Sequence, residues 1–573
     1  MTIDRTKLRW NGWGWAERAE DSEDNDGLWR WLAEELGMGA LMSTPALDLG
    51  NVDIPDPRLP RRLIELLEQT VGSGQVRADR YERAFHARGK SYFDLLHLRN
   101  GMLDTVPDVV VYPETALQVL EVLAFALEHS LSVVPFGGGT SVVGGVTAVA
   151  ADGHQGVISL DMTRMNRVRA IDSRAMQAVA EAGIHGPDLE RQLQQRGYTL
   201  GHYPQSFEFS TLGGWIAARG AGQQSNRYGK AEDWLVSAKL VTPRGYWTTE
   251  CHPASAAGPD LNQMVAGSEG RFGVITEAVV KIHPVPEATD YRGFLFRNFE
   301  SGMEAVRAVS QSGVPVAMLR LSDADETRYF QEFARRRHPS TLSRLTAERA
   351  KQAYLRARKF DGPACLLLTG AEGAKRQVSW AVGEIGRIVR QHDGMPVGRS
   401  AGKRWYAGRF EAPYLRDVML DHGVGVDTVE TATRWSNIPH LHRVLRETLA
   451  KAIAESAPAP GARGIVLGHI SHTYRDGASL YFTFIFPRDL DNELRQWLMI
   501  KKSVTEAILE HGGTLSHHHG VGMDHAAWLV EEKGELGVSA LGAFKRQIDP
   551  ANVLNPGKLT GGGPDIYAPI AKI

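Results

Sequence analysis

The stretch Leu131-Ser132-Val133-Val134-Pro135-Phe136-Gly137-Gly138-Gly139-Thr140-Ser141 decides how the rest of the 573-residue chain is read. An apolar run of strand type ends on three glycines and two hydroxyl residues. With no Cβ on Gly137, Gly138 or Gly139, backbone N–H groups can approach a diphosphate closely, and Thr140 and Ser141 add hydroxyl donors. Taken alone, the motif also fits a surface turn. It has neither the G-x-G-x-x-G spacing that opens a helix nor the lysine of a P-loop, so those two phosphate-binding folds are excluded.

Upstream of it, DVVVYPETALQVLEVLAFALEHS (108–130) reads as a strand, a proline turn and an amphipathic helix, which makes the whole a βαβ unit. Downstream come short β-rich runs at 156–161, 167–172 and 176–183, then a helix over Pro187 to Arg196. A second glycine- and hydroxyl-rich segment follows at 204–235, carrying Gln205, Ser206, Ser210, Thr211, Gly213, Gly214, Ala218, Arg219, Gly220 and Ala221. The third is GSEGRFGVI (267–275), with Glu269, Gly270, Gly273, Val274 and Ile275. The strand pattern from Gly273 to His283 stops at HPVPE, which sets a domain boundary near Glu287.

Beyond it, helical and strand patterns alternate up to about residue 500: a helix near 299–312, strand 316–322, a basic helix Leu342 to Lys359, strand 365–370, a helix near 374–392 and strand 479–486. This is the order expected of an α+β domain with an antiparallel sheet and helices on one side. The first hundred residues read as mostly helical, with a helix over Asp56 to Val71. The expected organisation is a helical segment at 1–105, a phosphate-cradling domain at 106–287, a cap at 288–500 and a C-terminal segment at 501–573.

Composition narrows the function. Lys plus Arg (65) nearly balances Asp plus Glu (67), so there is no overall field to hold nucleic acid. Two cysteines are too few for a disulfide framework or a cysteine metal site and point to a reducing compartment. The N-terminus is acidic and Trp-rich rather than leader-like, the last residues are Ala571-Lys572-Ile573, and no apolar run reaches about 20 residues. These features set the expectation of a cytoplasmic protein, with peripheral membrane contact left open.

The three glycine-rich segments, in this order and spacing, resemble the FAD-binding half of the vanillyl-alcohol-oxidase (PCMH-type) flavoproteins. RWNGWG (9–14), the run 83–113, EFSTLGGW (208–215), GSEGRFGVITEAVVKIHPVPE (267–287), APYLRD (412–417), TYRDGASLYF (473–482) and SHHHGVG (516–522) look more narrowly like the alkyldihydroxyacetonephosphate synthase family, over nearly the whole chain. The resemblance implies an α+β fold: a two-subdomain PCMH-type FAD-binding domain, an α+β cap with an antiparallel sheet and a helical N-terminal segment. It also implies FAD used without net redox change, N5 acting as a nucleophile, to exchange the acyl group of acyl-dihydroxyacetone phosphate for a long-chain fatty alcohol, and a homodimer.

By the same resemblance the family's functional tyrosine falls on Tyr481 and its required arginines on Arg416 and Arg320. The residues themselves leave alternatives: a sheet aromatic for Tyr481, a solvated arginine beside Asp417 for Arg416, a structural ion pair for Arg320. His517, His518 and His519 follow a Gly-Gly turn. Three adjacent imidazoles cannot all face one way, so the run is expected to bind phosphate or position Tyr481 rather than hold a metal. Related hydroxy-acid dehydrogenases carry an H-x-G-D-G-N-x-H run, but here Thr473 stands three residues before Asp476-Gly477, and only His469 and His472 keep a metal in view. No metal is expected. With no His or Cys in the glycine loop the flavin is expected to be noncovalent, His202 being the residue to check. The final DPANVLNPGKL (549–559) looks more like the dehydrogenases, so an FAD-linked alcohol or 2-hydroxy-acid oxidoreductase stands as the alternative, with a flavin-binding protein without turnover third.

Overall fold

The computed structural model describes residues 3–18, 26–337, 362–560 and 564–570, together with 355, 357, 358 and 360. The basic helix expected over Leu342 to Lys359 lies largely outside the described residues.

The glycine loop hangs from a four-stranded sheet. Its strands are β1 (Val76–Arg77), β2 (Val109–Val111), β3 (Leu131–Phe136) and β4 (Gly156–Asp161), in the order β1-β2-β4-β3. β2, β4 and β3 run parallel, and their near-continuous apolar sequences suit strands covered on both faces. The crossover helix Ala116–Glu128 starts at Thr115, whose side chain accepts from Gln118 N. The βαβ expectation holds with one refinement: β4 sits between β2 and β3. β1 comes from the N-terminal segment, which is therefore not purely helical; two residues are too short a strand to show a period. The helix expected from Asp56 starts at Arg61, because Pro60 serves as its N-cap.

The second half of this region contains β5 (Val168–Asp172), β6 (Gln177–Glu181), β7 (Tyr198–Thr199), β8 (Leu235–Thr242), β9 (Gly245–Thr248), β10 (Val274–Lys281) and β11 (His283–Pro284). Five of them form an antiparallel sheet, β5-β6-β10-β8-β9, while β7 pairs with β11.

The cap is a seven-stranded, fully antiparallel sheet of β12 (Ala288–Phe296), β13 (Met318–Ser322), β14 (Cys365–Gly373), β15 (Met395–Gly398), β16 (Val424–Arg434), β17 (Ile465–Thr473) and β18 (Gly477–Pro487). Their order is β15-β12-β14-β13-β17-β18-β16. Side chains alternate across it. Leu319, Leu321, Leu367, Ile470, Phe482, Phe484 and Phe486 are buried against the helices Phe299–Gln311, Lys375–Gln391, Ile438–Glu455 and Glu493–Glu510. At roughly 1.5–3 kcal/mol for each buried large apolar side chain, this face fixes the register of the strands. The opposite face carries Arg320, His469 and Tyr481. Helix Glu493–Glu510 runs unbroken through residue 500, so the C-terminal segment is continuous with the cap.

Polar ties fix the cap on the glycine-loop region and on the N-terminal segment. Buried Glu372 of β14 accepts from Gln224 and Tyr228 of the second glycine-rich segment, at 2.8 and 2.9 Å, and from Tyr291 of β12 at 2.6 Å. In RWNGWG, Trp13 N donates to the buried Asp417 carboxylate at 2.5 Å, and Arg9 pairs with it. This N-terminal strap thus holds the helix Ala412–Asp421, which carries Arg416.

Candidate active site

One continuous cavity of about 1540 Å³ joins the glycine loop, the open face of the cap sheet and an apolar passage. Its first wall is the loop Pro135–Val143 with Gln205, Ser206, Ser210, Thr211, Gly213, Gly214, Ala218, Gly220, Ala221, Glu269, Gly270, Gly273, Val274 and Ile275. The N–H groups from Gly138 to Val142 donate to nothing among the described residues, so a row of donors faces the cavity unspent. A Cβ on Gly138 would lie 1.7 Å from Phe209 O, which shows how closely the first two glycine-rich segments meet. Gly139 adopts φ +67°, where a side chain would be strained and would also strike the Phe136 ring. These features fit an extended dinucleotide with a diphosphate.

Arg219 stands apart from this wall. Its backbone turns left-handed (φ 53°), and its guanidinium pairs with Glu232 and donates to Gln263 at 2.8 Å. Glu269 contributes backbone to the wall but commits its carboxylate elsewhere, as described below. His202 is fully buried, accepts from Trp234 Nε1 at 3.2 Å and does not line the cavity. Burial pushes its pKa down to about 3. Neither cysteine lines the cavity.

The second wall is the open face of the cap sheet. Tyr481 on β18 lies in register with Glu430 on β16 and His469 on β17. Its ring stacks on His469 at 5.1 Å and on His518 at 6.1 Å and meets His519 edge-on at 5.7 Å. Burial raises the phenol to about 12, a hydrogen bond with the Thr428 side chain opposing, so it is a proton-bearing group at neutral pH. Arg320 lines the cavity but is also paired: it donates to Glu326 at 2.9 Å, and Glu326 is bonded to His469 Nδ1 at 2.9 Å. Burial opposes the charge on Glu326, yet His469 and Arg320 hold its pKa at about 2. The ion pair and the cavity-facing position therefore coexist. Arg416 lines the same space with its Nε buried and without a hydrogen-bond partner. Burial pulls its pKa down, while Asp417, Asp427 and Tyr481 support the charge. A half-buried guanidinium whose Nε has no partner is what an anionic ligand would complete.

The histidine run is held by two glutamates that the sequence reading did not single out for this task. Glu430 accepts from Ser516 Oγ at 2.8 Å, from His517 N at 2.8 and 3.0 Å, and from His518 N and His519 N at 3.0 Å each. Burial opposes its ionisation, but the three histidines keep its pKa well below the usual range. Glu269, from the third glycine-rich segment, accepts from Val521 N at 2.5 Å and Gly522 N at 2.8 Å. Burial lifts its pKa to about 7 against those two bonds. One segment is thus pinned at one end by the cap and at the other by the FAD-binding region. β16 and β17, which carry Glu430, His469 and His472, were absent from the sequence-level list of strands; the pattern Val424–Arg434 alternates weakly because charged and hydroxyl residues occupy its cavity face.

His518 and His519 line the cavity, whereas His517 sits behind them, its Nε2 on the Tyr474 hydroxyl at 2.5 Å and its Nδ1 on His518 Nδ1 at 2.9 Å. Ring nitrogens of His472, His517 and His518 come within 4.8 Å of one another. A metal there would displace the His517–His518 bond and would face the Lys230 ammonium, which donates to His517 O at 2.6 Å. That cation and burial already depress both His517 and His472.

From this centre the cavity continues between apolar side chains, including Phe333, Leu366, Leu368, Val397, Trp405, Met419, Leu467 and Ile485. DPANVLNPGKL serves the other end: Asn555 N donates to Val133 O, and its Nδ2 to Gly145 O and Glu269 O, bracing the glycine loop from beneath.

A diphosphate cradle joined to a proton-bearing sheet face defines a two-domain FAD-linked flavoprotein. Residues 107–249 match the "FAD binding domain" family and residues 285–559 the "FAD linked oxidases, C-terminal domain" family; the cofactor is FAD. The chain belongs to the alkyldihydroxyacetonephosphate synthase family. It is 35% identical to the alkyldihydroxyacetonephosphate synthase of Trypanosoma brucei brucei over 96% of this chain and 92% of the relative. It is 36% identical to that of Dictyostelium discoideum, over 91% and 84% of the two chains. A crystal structure of an alkyldihydroxyacetonephosphate synthase superposes with a TM-score of 0.80 at 31% identity, covering 97% of this chain and 98% of that one.

Proposed function

We infer that the protein is an FAD-dependent alkyl transferase that exchanges the acyl group of acyl-dihydroxyacetone phosphate for a long-chain fatty alcohol, yielding alkyl-dihydroxyacetone phosphate without net redox change. The observation that carries this reading is the single cavity in which the cradle, an unmatched arginine, a tyrosine–histidine cluster and an apolar passage follow one another. A phosphorylated headgroup needs the arginine, and two long chains need the passage. When bound in the cradle formed by the loop Pro135–Val143 and the two later glycine-rich segments, FAD would supply a nucleophilic N5.

The chain's own residues have distinct tasks. Arg416 completes its hydrogen bonding on the substrate's phosphate or on the departing carboxylate. Arg320, fixed by Glu326, adds a second positive charge on the same wall. Tyr481 holds a proton next to the reacting carbon, and His518, stacked on it, takes and returns protons. His519 is half-buried, desolvation pushing its pKa down to about 3, and serves as a neutral hydrogen-bonding wall.

The reading includes noncovalent FAD, a homodimer and a cytoplasmic location at or near a membrane surface, since both substrates carry long alkyl chains; among the described residues no helix is long and apolar enough to cross a membrane. The FAD-linked oxidoreductase alternative predicts acceptor-dependent turnover. The test is anaerobic incubation of the flavin-loaded protein with acyl-dihydroxyacetone phosphate and a labelled long-chain alcohol, followed by mass analysis of the lipids. Labelled ether and free fatty acid without an added acceptor support the transferase. No ether, with flavin bleaching by alcohols or hydroxy acids, refutes it.

A further inference from the structure

The exchange leaves one proton over. The C–O bond to the acyl group breaks and its fatty acid departs as a carboxylate; a C–O bond to the alcohol forms, and the alcohol's O–H proton is released with no electron transferred. That proton appears in a cavity whose onward passage is lined by apolar side chains together with arginines such as Arg335, Arg404 and Arg409, which cannot accept it. We propose that it leaves through a hydrogen-bonded chain, His518–His517–Tyr474, which crosses from the cavity wall to the outer surface. The proposal rests on the transferase reading above.

The chain is short and complete. His518 lines the cavity and stacks on Tyr481. Its Nδ1 is 2.9 Å from His517 Nδ1, so Nε2, across the ring, is the nitrogen left to receive a proton from the reacting groups. His517 is only 9% exposed and off the cavity wall, and its Nε2 meets the Tyr474 hydroxyl at 2.5 Å. Tyr474 follows β17 in the turn to β18 and is 37% exposed, while Arg475 and Asp476 beside it are exposed as well. A proton taken at His518 Nε2 lets Nδ1 pass its own proton to His517 Nδ1. His517 Nε2 passes one to the Tyr474 oxygen, and Tyr474 releases one outward. No oxidant or reductant is involved, and each imidazole gains a proton on one nitrogen and loses one from the other.

Charges around the chain favour this direction. Glu430 receives the backbone N–H groups of both histidines and lies 3.4 Å from His518 Nδ1, stabilising a transient imidazolium at the inner end. Lys230, held on His517 O and paired with Glu232, discourages a proton from resting on His517. The neighbouring His472 ring, 5.1 Å from that of His517, is also depressed by burial and by the positive groups around it, and is no trap. At the outer end the charges of Glu232, Asp233 and Asp476 act on Tyr474, and Asp233 and Asp476 are exposed to water. Nothing else assigned to the site explains why His517, behind the wall, should make two ring-nitrogen hydrogen bonds in series.

The test uses the flavin-loaded enzyme and its ether-forming assay in dilute buffer. Tyr474→Phe keeps the ring and removes the relay oxygen. The expected result is kcat at least tenfold lower, KM for both substrates within twofold, and recovery of most of the lost rate on adding imidazole, a small diffusible proton carrier. Wild-type kcat in Tyr474→Phe, or a loss that imidazole cannot restore, overturns the path. Should the variant lose flavin, the wild-type enzyme decides: its solvent deuterium isotope effect on kcat should be normal and shrink as imidazole rises, and an effect indifferent to imidazole overturns the path. Wild-type enzyme that forms no ether at all overturns the transferase reading itself, whereas ether formation with no Tyr474 effect overturns the path alone.

Discussion

Replacing Glu430 by Gln tests whether a single carboxylate positions the histidine run. Four donors, Ser516 Oγ and the N–H groups of His517, His518 and His519, converge on it. A hydrogen bond to a charged acceptor contributes about 1.5–3 kcal/mol against about 0.5–1.5 for a neutral one, so losing the charge costs about 1 kcal/mol per donor, or up to about 4 in all. The donors share one group and do not add independently, which brings the expectation to about 2 kcal/mol. Gln also turns an NH₂ toward the His517 N–H, adding an unmet buried donor. If the loss appears as misplacement of His518, kcat should fall about 30-fold, a tenfold change corresponding to about 1.4 kcal/mol. Flavin content should be preserved, because Glu269 still holds Val521 and Gly522. The pH dependence is a second readout. The folded pKa of Glu430 is depressed, so its stabilisation is full above the unfolded value of about 4.3 and is lost as pH falls below it toward the folded pKa. Urea unfolding between about pH 5 and 3 should therefore show a shallower acid decline in Glu430→Gln than in wild type. Turnover within twofold of wild type together with an unchanged acid slope would refute the positioning role.

Three further outcomes are expected. Gly138→Ala places a methyl against Phe209 O, where overpacking costs about 1–3 kcal/mol, so the purified protein should lose most of its yellow colour; full flavin occupancy would show that the two segments need not meet so closely. Arg416→Ala should raise KM for acyl-dihydroxyacetone phosphate by about 10–100-fold, the equivalent of one charged hydrogen bond, with flavin retained, and equal substrate affinity would reduce Arg416 to a spectator. Leu368→Trp, on the cavity wall opposite Arg320 in the strand pairing, should shift alcohol preference toward shorter chains in a competition assay; an unaltered product distribution would place the chains elsewhere.

The sequence by itself determined the flavin half. Three glycines after a strand, a second segment with Thr211, Gly213 and Gly214, and a third ending in β10 are local backbone requirements, and local requirements show in local residue types. It also determined the cap's layering, since strands such as SLYFTFIF alternate and their helices are amphipathic. Tyr481, Arg416 and Arg320 were legible through family motifs; their shared cavity face was not.

Only the tertiary structure decided how the site is assembled. Glu430 and Glu269 look like ordinary strand and loop carboxylates in the sequence, and their importance comes from donors 87 and 252 positions away. His517 and His518 are adjacent in sequence yet take different roles, one behind the wall and one on it, because Glu430 gathers their N–H groups and so fixes how each ring leaves the backbone. Arg219 sits among cradle residues in sequence but is turned away by one left-handed backbone step. Burial, long-range hydrogen bonds and the side of a sheet a residue faces are set by packing between distant segments, which no local period encodes.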